Sequence, residues 1–285
     1  MRIDQALGGC RKADPLAKYR TLEGKGIKIL FGSPTLDGEV SIDFMSSLMQ
    51  SIELLSKLGI PVLMLKNLNS CYIDVARNLY AAKLLESTAT HLWQADTDMS
   101  WNPEAILDML LKDKDFIAGI GRKKLENEEY AGVNFTDSNG TIIGEFGGTE
   151  EEVLIQMKVI GGAFTLHKRC VFEKLRDSRN MVKRLIGETP AYAFYECSYI
   201  PHWTSEDYNF CNSCIESGID IWCYPNIEMG HKGFKDYKGN WFKHLKSKMH
   251  EREDSISIIN SISRIDAIIS KLKSEEKYAV PQKIT

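Results

Sequence analysis

The sequence has no stretch near the roughly 18 uninterrupted apolar residues that a membrane-spanning helix requires, and its opening residues (MRIDQALGGCRKADPLAKYR) hold no apolar block of the secretion-signal kind. Both absences predict a cytoplasmic protein. An even cysteine framework is also missing: seven cysteines in 285 residues argue against a disulfide scaffold. Cys211 and Cys214 have metal-like spacing, but no second such pair accompanies them, so they read as buried thiols on a helix. Charge of one sign is lacking too. Lys plus Arg number 36 and Asp plus Glu 39, a net −3 that excludes a chain devoted to coating nucleic acid and still permits a local basic patch. No internal repeat or low-complexity segment is visible. At 43% hydrophobic and 26% charged residues the chain can bury a core, as one large domain or two small ones.

Along the chain, residues 1–26 are polar and without clear period, and read as an N-terminal extension. From Ile27 to Phe31 an apolar run ends in Gly-Ser-Pro, a buried strand stopped by a turn. Phe44, Leu48, Ile52 and Leu55 then recur at helical spacing, with Gly59 as the stop. Pro61 to Leu65 and His91 to Ala95 read as strands, with a helix from about Ile73 to Leu85 between them. Asn102-Pro103-Glu104 opens another helix and Phe116 to Ile120 forms a fourth strand. Strands alternating with helices predict an α/β fold with a mostly parallel central sheet flanked by helices. Beyond Gly121 the pattern becomes α+β. Tyr130 to Glu145 alternates around the turn sequence Asp137-Ser138-Asn139-Gly140, Val153 to Leu166 reads as one strand with Gly161-Gly162 inside it, and Glu206 to Ser217 as a helix. Ile219 to Tyr224 is a further short strand. Asp254 to Lys273 carries Ile258, Ile262, Ile265, Ile269 and Leu272 on one stripe, a C-terminal helix that packs on the body or forms a homodimer.

Asp96 and Asp98 stand at the carboxyl end of a predicted central strand, where parallel sheets gather their ligands. Two carboxylates one residue apart can share a divalent cation whose other positions go to phosphate oxygens, and they equally suit a plain surface turn. Glu206 and Asp207 open a helix, where the helix dipole favours acidic groups in any reading. His231 lies between glycines after a short strand, and its imidazole can complete a metal set or serve the packing. Trp203, Tyr208 and Trp241 are sugar-stacking aromatics or, by default, buried ones. The stretch from His231 to Lys248 holds Lys232, Lys235, Lys238, Lys243, Lys246 and Lys248, and reads as a basic loop, a lid, or a track for a polyanionic acceptor.

The order of these features resembles the GT-A glycosyltransferase fold, and more narrowly the family-2-like glycosyltransferases of bacterial and viral genomes. The carrying residues are GSPT (Gly32 to Thr35), ARN (Ala76 to Asn78), QADTDM (Gln94 to Met99), WNPEAI (Trp101 to Ile106), VIGGAFTLHKRCVFEKL (Val159 to Leu175), SEDYNFC (Ser205 to Cys211) and GHKG (Gly230 to Gly233). The resemblance covers about residues 27–233, leaving 234–285 as basic loop and terminal helix. It implies that Pro34 and Thr35 line a nucleotide pocket, that Arg77 and Asn78 contact the nucleoside or diphosphate, and that Asp96, Asp98 and His231 hold Mn²⁺ or Mg²⁺ against the diphosphate of a sugar nucleotide. It further implies Lys232 as an assisting cation, Gly162 as space for donor or acceptor, and Asp207, with Glu206 as the less favoured neighbour, as the base of an inverting transfer. The donor expected on family grounds is a UDP-sugar; the acceptor is a glycan, a lipid-linked glycan, a protein or a modified DNA base. A retaining transferase, a nucleotidyltransferase and a non-catalytic binding protein are the alternatives. GSPTLDG lacks the Lys or Arg of a nucleotidyltransferase loop, which weighs against the second.

Overall fold

The computed structural model describes residues 14–35, 38–65, 72–199 and 202–249. Strand β1 (Ile29–Gly32) is buried at all four positions, as a strand covered on both faces must be. Helix α1 (Ile42–Lys57) starts where the Ser41 hydroxyl accepts from the Phe44 N–H at 3.0 Å, and it buries Phe44, Leu48 and Leu55. Strand β2 (Val62–Met64), helix α2 (Ile73–Glu86) and strand β3 (His91–Ala95) follow as the pattern predicts. An unexpected short strand, β4 (Met99–Trp101), comes next, then α3 (Ala105–Leu111) and β5 (Phe116–Ala118). Asn102 does not cap α3 with its side chain; its Oδ1 accepts from the Glu228 N–H at 3.2 Å.

The second half departs further from the sequence reading. After β6 (Gly132–Asn134), the Asp137 to Gly140 turn forms as expected, with Gly140 at φ 81° and its N–H on the Asp137 carbonyl at 3.1 Å. Then come β7 (Gly144–Glu145), β8 (Leu154–Ile160) and β9 (Phe164–Lys168). The strand expected over Val153 to Leu166 is therefore two strands, and Gly161-Gly162 lies in the connection between them. Helix α4 (Arg169–Ser178) leads to a small hairpin of β10 (Arg184–Ile186) and β11 (Thr189–Ala191), then to α5 (Glu206–Glu216), β12 (Ile221–Cys223), β13 (Met229–Lys232) and β14 (Asp236–Gly239).

The main sheet has the order β2-β1-β3-β9-β5-β12-β8-β6, with β7 also on β8. The strands β8 and β9 run against the rest, so the sheet is mostly parallel in direction and β9 is wedged antiparallel between β3 and β5. A second sheet, β14-β13-β4, grows from the segment that follows β3. Hence the first part of the basic stretch, expected as a loop or lid, is a hairpin in which Tyr237 and Asn240 are buried. The compact unit holding these elements ends at Trp241; from Phe242 the chain is described as far as residue 249, as helix. The amphipathic stretch at Asp254 to Lys273, and the homodimer read from it, lie outside the described residues. No helix among the described residues is long and apolar enough to cross a membrane.

The core sits beneath the carboxyl ends of β1 and β3. Phe31, Phe44, Trp93, Trp101 and Phe164 touch in a chain of ring contacts with centroids 4.7 to 6.1 Å apart. Leu16, Tyr19 and Leu22 join this core, and the Tyr19 hydroxyl donates to Asp108 at 2.9 Å, so the described end of the N-terminal segment is packed rather than loose. Cys211 and Cys214 are buried on α5 as free thiols. A second aromatic cluster encloses His167, whose ring centroid is 4.3 Å from Phe116, 5.4 Å from Phe210 and 5.5 Å from Phe172. Neither His167 ring nitrogen has a hydrogen-bond partner among the described residues, and burial pushes its pKa down from 6.5 to about 3.

This burial predicts an acid-labile fold. Between pH 6.5 and about 3 the unfolded chain binds a proton at His167 that the folded chain does not, so its contribution to stability is complete above 6.5 and is lost as pH falls. His167→Phe fits the aromatic surroundings and removes that proton. Its unfolding free energy, from urea titrations at several pH values, is expected to fall less steeply than wild type between pH 6.5 and 4, by up to about 1.4 kcal/mol per pH unit. Parallel profiles for the two proteins would contradict this.

Candidate active site

Three chain segments meet at the carboxyl ends of β1 and β3. The antiparallel register of β3 with β9 sets Ala95 opposite Phe164, and the Asp96 N–H donates to the Ala163 carbonyl at 3.0 Å. The Gly161-Gly162 connection is thereby held beside Asp96. Residues Ser33 to Thr35 leave β1 at the same sheet end, with the Ser33 hydroxyl donating to the Ala95 carbonyl. Helix α5 packs on β8 and brings the N-terminal pair Glu206 and Asp207 to this place, where exposed backbone N–H groups favour negative charge.

Arg77, on α2, ties the segments together. It is 2% exposed, and its guanidinium donates to Asp96 Oδ1 at 3.2 Å and to Glu206 Oε1 at 3.1 Å. Burial raises both carboxyls, against the pull of Arg77. The guanidinium lies directly over Gly162, where a Cβ would overlap it. The space at Gly162, expected to serve donor or acceptor, is thus filled by Arg77, and Arg77 itself faces carboxylates rather than an open pocket. Asn78 is also turned inward: its amide donates to the Tyr195 carbonyl at 2.8 Å and accepts from the Tyr195 N–H at 2.9 Å, so both its polar ends serve the packing.

Asp207 is half-buried and, among the described residues, has no cationic side chain bonded to it. Its Oδ2 accepts from the Gly162 N–H at 3.1 Å, and its Oδ1 accepts from the Tyr208 N–H at 2.8 Å and from the Ser205 hydroxyl. These three bonds hold the carboxylate in one orientation and leave one lone pair, on Oδ2, unused.

Asp98 faces another way, toward β13. Its Oδ2 lies 3.4 Å from His231 Nε2 and bonds the Lys124 ammonium. Burial alone would raise its pKa, but the hydrogen bonds from His231 and Lys124 outweigh that and hold it at about 2. His231 Nδ1 lies 2.8 Å from the Arg122 carbonyl, which only accepts, so Nδ1 carries a proton. In the neutral ring Nε2 then offers a lone pair to a carboxylate oxygen, an arrangement that needs a proton or a cation between the two. A carbonyl-oriented imidazole of this kind is how proteins present a metal ligand.

The residues therefore fit a divalent ion in part. Asp98 and His231 form a two-donor corner, while Asp96, expected to share the ion, is turned onto Arg77. Among the described residues no group of three His, Cys, Asp or Glu side chains gathers closely enough to enclose a metal. Charge balance favours a cation nonetheless: Asp96, Asp98, Glu206 and Asp207 face one guanidinium and one ammonium, an excess equal to one divalent ion.

Of the other expected residues, Pro34 and Thr35 are half-buried in the turn after β1, where Thr35 Oγ1 accepts from the Gly38 N–H at 3.1 Å. The Lys232 side chain is exposed, while its N–H donates to the Asp98 carbonyl at 2.7 Å. Trp241 is buried, and Trp203, expected by default to be buried, is 64% exposed just ahead of Asp207. Lys124 was missed by sequence reasoning. The basic run Arg122-Lys123-Lys124 directly after the β5 segment was the available signal. A cavity of about 320 Å³ lies elsewhere. Its lining includes Ser100 and Gly230, which strand alternation puts on the face of the small sheet opposite His231, and none of the charged residues above borders it.

No family model and no curated protein matches this chain. Among solved structures, a protein from STIV aligns with a TM-score of 0.44 and 16% identity, covering 73% of this chain and 86% of that one. A UDP-glucose pyrophosphorylase complexed with UDP-glucose aligns at 0.38 and 10%, covering 74% and 92%. The inositol-1-phosphate CTP transferase from T. maritima aligns at 0.37 and 12%, covering 72% and 88%. Scores this low identify no family, and function is read from the site's geometry.

The Arg77 triad yields a stability test. Arg77→Met strands two carboxylates away from bulk water and is expected to lower the unfolding free energy by about 3–5 kcal/mol in urea titrations. Adding Glu206→Gln removes one stranded charge and is expected to restore part of the loss. Strictly additive effects of the two changes would refute the coupling.

Proposed function

We propose that the chain is a divalent-metal-dependent glycosyltransferase that moves a sugar from a nucleoside-diphosphate donor, a UDP-sugar by preference, to an acceptor hydroxyl with inversion. The observation carrying this reading is the pairing of a two-donor corner, Asp98 and His231, with a separate oriented carboxylate, Asp207, at the same end of the sheet. Two protein donors leave the remaining coordination positions for diphosphate oxygens, the habit of Mg²⁺ and Mn²⁺ in phosphate chemistry. Bound there, the ion supplies charge stabilisation to a departing diphosphate.

The chain's own residues supply the rest. Asp207, fixed by the Gly162 and Tyr208 N–H groups, takes the proton of the acceptor hydroxyl as that oxygen bonds the anomeric carbon and the bond to the diphosphate breaks. Glu206 stays bound to Arg77 and keeps the N-terminus of α5 in place. Trp203, exposed beside this carboxylate, offers a face to a sugar-ring acceptor. The lack of any Lys or Arg in GSPTLDG favours glycosyl over nucleotidyl transfer.

The test uses a panel of sugar nucleotides with Mn²⁺, reading nucleoside diphosphate release, beside nucleoside triphosphates with sugar phosphates, reading pyrophosphate. Diphosphate release from at least one sugar nucleotide is expected. Asp207→Asn is expected to lower kcat by about 10²–10⁴ while leaving the calorimetric Kd for the donor nearly unchanged. Pyrophosphate release alone would assign nucleotidyl transfer, and an Asp207→Asn variant as active as wild type would remove this residue as the base.

A further inference from the structure

Asp98 already carries a counter-ion in this structure. The Lys124 ammonium bonds the same Oδ2 that faces His231, so it stands where a divalent cation held by that pair would have to sit or press. Both partners are well exposed, 39% for Lys124 and 37% for Asp98, and ion pairs so open to water contribute little to stability. The pair is cheap to break, and a second cation at Oδ2 would break it by repulsion.

The backbone that carries Lys124, by contrast, is tied down. Arg122 and Tyr130 bridge the two ends of the loop, and the Lys123 N–H donates to the Glu129 carbonyl at 2.8 Å. The Arg122 carbonyl takes the His231 Nδ1 proton, and its guanidinium reaches the Lys238 carbonyl at 3.3 Å. The Arg122 guanidinium also donates to the Glu126 carbonyl at 2.9 Å, which ties the backbone beyond Lys124 to the same residue, while the exposed Lys235–Glu126 ion pair adds little. The loop is thus fastened to the β13–β14 hairpin on both sides of Lys124. The flexible stem of Lys124 crosses Gly233, where an added Cβ would lie 3.2 Å from the Lys124 Cδ. A long side chain on a fixed base, beside a residue without a side chain, can swing its charged end without moving the backbone.

We propose that Lys124 is a placeholder cation at Asp98, displaced when a divalent ion settles between Asp98 and His231, and that the freed ammonium then binds the phosphates of the incoming nucleoside diphosphate. No bond is made or broken in this exchange, which moves one charge from a carboxylate to a phosphate. The inference rests on the metal and diphosphate reading of the site. It adds a residue that reads the order of binding, metal first and diphosphate second.

The experiment is equilibrium binding to the full chain, with two probes kept apart: Mn²⁺ alone, followed by the signal of free Mn²⁺ in electron paramagnetic resonance, and UDP at saturating Mn²⁺, followed by calorimetry. Lys124→Met is expected to bind Mn²⁺ about fivefold to tenfold more tightly, because the competitor is gone, and UDP about tenfold more weakly, because a charge-assisted phosphate contact is lost. Lys124→Arg, which keeps the charge, is expected to restore most of the UDP affinity. If wild type binds both probes and Lys124→Met binds them equally well, the role of Lys124 is refuted and the site reading stands. Tighter Mn²⁺ binding with unchanged UDP affinity refutes the phosphate-binding half. If wild type and Lys124→Met alike bind neither probe, the metal and diphosphate reading fails, and this inference with it.

Discussion

A guanidinium that is almost fully out of water must find its counter-charges inside the protein, and Arg77 finds them on two elements far apart in the chain. Asp96 directly follows β3 and Glu206 begins α5, so one side chain on α2 fixes the relative position of a strand end and a helix start. The Gly161-Gly162 connection is drawn into the same arrangement. Only a residue without a Cβ leaves room for the guanidinium at 162, and the Gly162 N–H in turn orients Asp207. The carboxylate proposed to act as base is therefore placed by a chain of contacts that starts at Arg77, although Arg77 does not bond it.

That constraint divides the acidic residues into two kinds. Asp96 and Glu206 are used up by the scaffold. Asp98 and Asp207 are not bonded by Arg77 and meet different partners, one an imidazole and an ammonium, the other backbone N–H groups. A group meant to bind a cation should keep its negative charge under all working conditions, and Asp98, held at about 2, does so. His231, on β13, is oriented by a carbonyl of the loop that also carries Lys124, so one piece of backbone orients the proposed ligand and delivers its competitor.

The first half of the fold was legible because its signals are local. Apolar runs, helical spacing and capping residues specify β1, α1, α2 and β3 one element at a time. The second half was less so, for reasons of register and pairing. Val153 to Leu166 is mostly apolar, broken only by Gln156, Lys158 and Thr165, and nothing in its composition says that Gly161-Gly162 turns the chain through a reversal; only the pairing of β9 with β3 and β5 does. The hairpin β13–β14 was hidden by its lysines, which point outward while Tyr237 holds the inner face. At the candidate site, residue types singled out Asp98, Asp207 and His231, the residues on which the proposed function rests. The partners of Arg77 and Asn78 were invisible, because a buried ion pair between residues 129 positions apart leaves no mark in spacing.

The D-x-D pattern itself changes meaning under this physics. In sequence, Asp96 and Asp98 are equivalent, and pairing them on one ion is the natural reading. In the structure both lie beyond the end of β3, in the turn before β4, and their side chains enter different environments: one meets a buried guanidinium, the other a half-exposed corner open to solvent. For Asp96 to share an ion with Asp98, its Oδ2, which Arg77 does not bond, would have to serve the ion while Oδ1 stays on Arg77, a rearrangement that divides the charge balancing the buried guanidinium. A cation at Asp98 and His231 requires no such rearrangement, since the exposed Lys124 is what it displaces. The less costly exchange is at the surface, which is why the proposed ion is assigned to the second aspartate of the pair rather than to the first.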